Sequence, residues 1–223
     1  MNSAKRQGRI LGVLVLVQLI GLILPFVMLK ALYVPPGFLE SAARGAPQIR
    51  WSLLLLLANG ALTTGLSLYV YPLLRAKTEG LARWLIVAGV AWLILQAVDN
   101  THVLSMLSLS ERYAAASGSQ RELFDELGLL ASSTRRTAHY TVLLAVGTWM
   151  LLFYSALWRT RLVPWLVPAI GVVAATLHLA GVSLPVLVGY PSLMLVAPGL
   201  AVSHGALIIW LLAKGIAAPR APQ

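Results

Sequence analysis

The chain has 223 residues, of which 59% are hydrophobic and only 11% are Lys, Arg, Asp or Glu, and its formal net charge is +10. Soluble domains carry about 25% charged residues, so this balance excludes a disordered chain, a soluble nucleic-acid binder and most soluble enzymes. Cysteine is absent, which removes disulfides, thiolate metal sites and a Cys nucleophile.

A helix crosses about 30 Å of hydrocarbon with about 20 apolar residues. The first run, 10–29, follows Lys5, Arg6 and Arg9 and carries no charge. It exceeds a signal-peptide core of about 7–15 residues, so it reads as an uncleaved first span. Runs 51–74 and 137–158 are also free of charge, and 84–107 carries only Asp99. The stretch 162–213 is 52 residues without a charge. As one helix it would be about 78 Å long, too long for a single crossing. It contains Pro185 and the turn signal Gly189-Tyr190-Pro191, so it divides into two helices. The expected fold is an all-α polytopic membrane helix bundle. Its six transmembrane helices span about 10–32, 51–74, 84–107, 137–158, 164–187 and 193–213.

Basic residues in short loops mark the cytoplasmic side. Ten of the 17 Lys and Arg residues fall on one side: Lys5, Arg6, Arg9, Arg75, Lys77, Arg83, Arg159, Arg161, Lys214 and Arg220. Both termini are therefore expected inside. The expected partners are the bilayer and anionic lipids at its cytoplasmic face, with no nucleic acid; association with a second copy stays open. Trp51, Trp84, Trp158, Trp165 and Trp210 fall near span ends, where amphipathic rings favour the interface. Trp92 and Trp149 fall inside spans and read as packing residues.

The third loop, 108–138, holds the one sizeable polar segment. Ser119-Gln120-Arg121-Glu122 fits a capping box. Leu123, Leu127 and Leu130 then recur at helical spacing, which predicts a short amphipathic helix on the outer surface or over the bundle. The stretch 114–119, rich in Ala, Ser and Gly, would be its hinge. The small-residue pairs Ala61 and Gly65, Gly171 and Ala175, and Ala201 and Gly205 would let helices approach closely.

Asp99 is the one formal charge inside the runs 10–29, 51–74, 84–107, 137–158 and 162–213. A carboxylate in the bilayer costs about 2.5–3.5 kcal/mol on insertion scales, so it should face protein or water. Gln96, Asp99 and His102 fall on one helical stripe, with Asn100 beside them. At about 1.5 Å per residue, Asp99, His102, His178, His204 and Asn59 map to the outer half or the midplane, with His139 at the outer end of the fourth span. Three readings follow for this polar cluster. Asp99 pairs with His or Asn across helices and fixes the bundle. Alternatively, Asp99, His102, His178 and His204 hold a metal, zinc by ligand type, whose bound water attacks a membrane-derived ester or amide. Or two His residues hold a b-type haem. No G-x-S-x-G, P-loop or G-x-G-x-x-G is present.

Arg9-Ile10-x-Gly12, the step Asp99-Asn100, His139-Tyr140, Pro168-Ala169-Ile170-Gly171 and the closing Trp210-Leu211-Leu212-Ala213-Lys214-Gly215 run the length of the chain. In these features it resembles the bacterial six-helix integral membrane proteins catalogued as a domain of unknown function. The resemblance implies six spans and a bacterial origin, and brings no activity. The leading expectation is an inner-membrane binding, sensing or accessory protein for an apolar or lipid-like ligand. An intramembrane metal-dependent enzyme is the alternative, and a transporter or b-haem protein the third.

Overall fold

The apolar runs fold as helices because a backbone without water must pair its own polar groups. The computed structural model describes residues 3–33, 35, 37–188 and 197–217, and every regular element among them is helical. Helix α1 (Ser3–Met28) tightens into a 3₁₀ turn (Leu29–Leu32). A short α2 (Phe38–Ser41) and a second 3₁₀ turn (Ala43–Gly45) lead into α3 (Ala46–Tyr113). Then follow α4 (Ser119–Thr160), α5 (Leu166–Val188) and α6 (Ala197–Lys214). By length and composition Ser3–Leu32, Ala43–Tyr113, Ser119–Thr160 and Leu166–Leu184 can each cross a membrane, and Gly199–Lys214 is a shorter apolar helix. The protein is a multi-pass helical membrane protein.

Its 68 residues would make α3 about 100 Å long if straight. Thr78 breaks it with φ −145° and ψ 47°, and the chain folds back on itself. The backbone at Gly60 lies against Leu93, and that at Gly89 against Thr64. Asn100 Nδ2 donates to the Leu53 carbonyl at 2.9 Å. The arms 46–77 and 79–113 are thus an antiparallel hairpin.

Elements adjacent in sequence pack together, and α1 also meets α6. Arg9 Nε donates to the Leu212 carbonyl at 3.2 Å, and Gln18 Nε2 donates to Thr63 Oγ1 at 2.8 Å. One end of the bundle collects Ser3, Thr78, Arg161 and Ala217. There Ala217 N–H donates to the Leu162 carbonyl at 2.8 Å, and Tyr69 Oη to the Gln7 carbonyl at 3.3 Å. The half nearest that end is filled by Trp92, Trp149, Phe153 and Tyr154, all under 2% exposed. Trp149 stacks on Phe153 at 4.9 Å, meets Trp92 edge-on at 6.1 Å and donates Nε1 to Ser67 Oγ at 2.8 Å. At the opposite end Ser110 Oγ ties α2 to α3, donating to the Leu39 carbonyl and accepting from Ala43 N–H.

The aromatic residues sort as expected: Trp51, Trp84, Trp158 and Trp165 are exposed, while Trp92 and Trp149 are buried. Three expectations need correction. Residues 119–136 are not a separate surface helix; they are the first turns of α4, which runs unbroken to Thr160. The capping box does not form, because the cap is Gly118 at φ 56° and makes no side-chain cap bond. A glycine tolerates that backbone, so the turn 114–118 can enter the helix one residue early. Of the small-residue pairs, Gly171 lies tight against the Tyr154 ring, but Gly65 and Gly205 face open space. The hairpin signal Gly189-Tyr190-Pro191 and Arg220 lie outside the described residues.

A buried Asp–Arg–His cluster at the end of an apolar cavity

Gln96, Asp99 and Asn100 are all buried on the second arm of α3, with Asp99 1% exposed. Facing them, α4 carries Arg135 and His139 four residues apart, a spacing that stacks side chains on one helix face. Arg135 Nε lies 3.3 Å from Asp99 Oδ1, and His139 Nδ1 lies 3.4 Å from Asp99 Oδ2. A carboxylate only accepts, so the His139 contact requires the proton on Nδ1. Arg135 Nη2 stands 3.5 Å from the same ring nitrogen. The Arg135–Asp99 contact is an ion pair without an aligned hydrogen bond; Nε and Oδ1 are both buried and have no hydrogen-bond partner. The side chains are 12% exposed for Arg135 and 2% for Asp99. In such a setting each charge depends on the other, since an isolated ion there costs several kcal/mol (about that order for either partner).

Around the trio, Phe26 packs edge-on against His139 at 5.7 Å. Tyr33 Oη donates to the Phe26 carbonyl at 3.2 Å. Burial pushes the Tyr33 hydroxyl pKa up, Arg135 pulls it down and Asp99 adds to the rise. Gln96 Nε2 donates to Asn100 Oδ1 at 3.0 Å. With the Asn100–Leu53 bond, this fastens the two arms of α3 beside the cluster.

The cluster closes one end of a cavity of about 360 Å³ among α1, both arms of α3, α4, α5 and α6. Leu19, Leu22 and Phe26 of α1 and Val142, Val146 and Met150 of α4 supply apolar wall. Gln96, Asp99, Arg135, His139 and His178 supply its polar groups. Binding sites have this composition, a mainly apolar cleft with a few placed polar groups, and volumes of about 300–1,000 Å³.

The structure separates the four residues expected around a metal. His178 Nε2 donates to the Leu143 carbonyl at 3.1 Å. His204 Nδ1 is 2.6 Å from Tyr154 Oη, with Nε2 buried and unpartnered. Neither His102 nor His204 lines the cavity. One helical step of three residues turns His102 about 60° away from Asp99, and it is half-buried where Asp99 is enclosed. Among the described residues no group of three or more His, Asp or Glu is arranged to hold a metal ion. The metal reading of Asp99, His102, His178 and His204 is corrected accordingly. Asn59 stands apart too, its buried Oδ1 unpartnered and its side chain against Gly21.

By sequence alone Arg135 falls in the third loop, 108–138, and His139 at the outer end of the fourth span. Their four-residue spacing on an α4 that begins at Ser119 is the signal that would have aimed both at one carboxylate.

Residues 10–215 match the family described as a domain of unknown function, DUF4386. The chain belongs to that family. The DUF4386 match takes in every residue that lines the cavity, Asp99, Arg135 and His139 included. No curated protein and no solved structure matches the chain.

Proposed function

We propose that this DUF4386 protein binds an uncharged amphiphile of membrane origin, with the apolar chain in the cavity and the polar head at Asp99, Arg135 and His139. It acts as a binding, sensing or accessory protein of a bacterial inner membrane. The two arms of α3 count as two crossings, which with α1, α4, α5 and α6 makes six, with both ends inside. The excess of Lys and Arg at the end that holds Ser3 and Ala217 supports that orientation.

One observation carries the reading. The cavity is mainly apolar, and among its few polar groups a carboxylate and a guanidinium lie 3.3 Å apart. Formal charges of opposite sign offset one another there, so a charged head gains little while its own desolvation is costly. A hydroxyl or carbonyl head meets donors and an acceptor without bringing a charge into the bilayer.

Ala201 lines the cavity on α6, and a larger side chain there fills the space rather than a packed core. Full-length protein extracted with organic solvent should release a bound amphiphile in near-stoichiometric amount by mass spectrometry. Ala201→Phe should reduce it at least ten-fold while helix content by circular dichroism stays that of the parent. Equal recovery from both proteins would contradict the proposal.

A further inference from the structure

A second cavity of about 730 Å³ opens at the end of the bundle that holds Ser3 and Ala217. Its walls come from the end of the first α3 arm, the turn after α4 and the C-terminal turn of α6. Lys77, Arg161 and Lys214 line it, with Trp165 and Trp210. Among the described residues no acidic side chain lines it. Glu79, the nearest acid in sequence to Lys77, is engaged by Arg83 at 2.6 Å.

A structural role accounts for part of this charge. Lys77, Arg161 and Lys214 each stand at the C-terminal end of a helical segment. Such an end carries about half an elementary negative charge. Three ends therefore offset about one and a half of the three positive charges, leaving about one and a half. The first turn of α5, entered through Pro164 and Trp165, adds a partial positive charge to the same wall. Arg161 is held at φ 57°, the one non-glycine positive φ among the described residues. A long side chain rarely takes that backbone, yet here it places a cation on the cavity wall.

Three neighbours set the depth of this site. Trp165 is 55% exposed, and tryptophan favours the headgroup level. Leu166 and Ile170, on the following turns of α5, are exposed large apolar residues of the kind that face lipid. The cavity therefore opens where acyl chains begin. We infer that it is a site for the phosphate of an anionic lipid headgroup, held by Lys77, Arg161 and Lys214 with the acyl chains along α5. It is separate from the apolar cavity and independent of what that cavity binds.

The test uses full-length protein in detergent, with native mass spectrometry against short-chain phosphatidylglycerol, short-chain phosphatidylcholine and inorganic phosphate. Phosphatidylglycerol should bind in preference to phosphatidylcholine, and inorganic phosphate should not displace it at matched concentration. A basic residue near such a surface contributes about five-fold to binding. Lys77→Gln and Lys214→Gln should each weaken phosphatidylglycerol by about that factor. So should Arg161→Asn, which keeps a residue tolerant of positive φ. The triple variant should lose about 100-fold, while Arg112→Gln at the opposite end should change nothing. Equal binding of the two lipids, displacement by inorganic phosphate, or single variants that bind as the parent does would each overturn the assignment.

Discussion

Asp99→Leu is expected to destabilise the protein by about 3–5 kcal/mol, because it leaves the Arg135 guanidinium buried without its counter-ion. The side chain of Arg135 is only 12% exposed, so water cannot take the place of the carboxylate at little cost. Asp99→Asn keeps the size and one accepting oxygen, and should lose clearly less. The double variant Asp99→Leu, Arg135→Met should recover most of the loss, since replacing both partners of a buried pair with apolar groups is often neutral or better. Thermal or denaturant unfolding in detergent, followed by circular dichroism, measures all three. If Asp99→Leu unfolds as the parent does, the ion pair is not formed in the bundle. If the double variant is worse than Asp99→Leu alone, the loss comes from packing and not from an orphaned charge.

The second large effect is steric, and its sign depends on position. A Cβ on Gly171 would overlap the ring of Tyr154. That ring is fully buried and held by His204, so it cannot swing aside. Gly171→Ala should cost about 1–3 kcal/mol by overpacking. Gly65 faces open space within 4 Å, and Gly65→Ala should stabilise by up to about 1 kcal/mol through helix propensity alone. Opposite shifts in unfolding temperature are the expected result. Two shifts of the same sign would mean that α4 and α5 are not packed through Gly171.

The contrast between these glycines shows what could be read without a structure. Both sat in small-residue pairs, and pairing by spacing alone could not tell which face met a neighbour. Helix content was legible because uncharged runs of about 20 residues leave few alternatives. The return at Thr78 was legible as well, since basic residues at Arg75, Lys77 and Arg83 break the apolar pattern. Asp99 stood out because a charge in an apolar run needs a reason. Its partners did not. Height along the bundle groups His178 and His204 with Asp99, but height carries no information about azimuth. Rotation about each helix sends His178 to the Leu143 carbonyl and His204 to Tyr154. Arg135 is hidden for another reason: the polar sequence 119–136 reads as a short surface helix apart from the fourth span, and its continuity with α4 is a matter of packing against Leu39 and Tyr113. Once α4 is one helix, Arg135 and His139 share a face and meet the carboxylate.

The claim on which the rest depends is that the space beside this cluster admits an apolar molecule. Met150 is 2% exposed, lines the cavity and belongs to a chain without cysteine. In full-length Met150→Cys protein, the new thiol lines that cavity. Its modification by N-ethylmaleimide should be slowed several-fold by 1-dodecanol, whereas a cysteine at the exposed Ser117 should react at the same rate with and without the alcohol. A Met150→Cys rate indifferent to 1-dodecanol would contradict a ligand-admitting cavity at Asp99, Arg135 and His139.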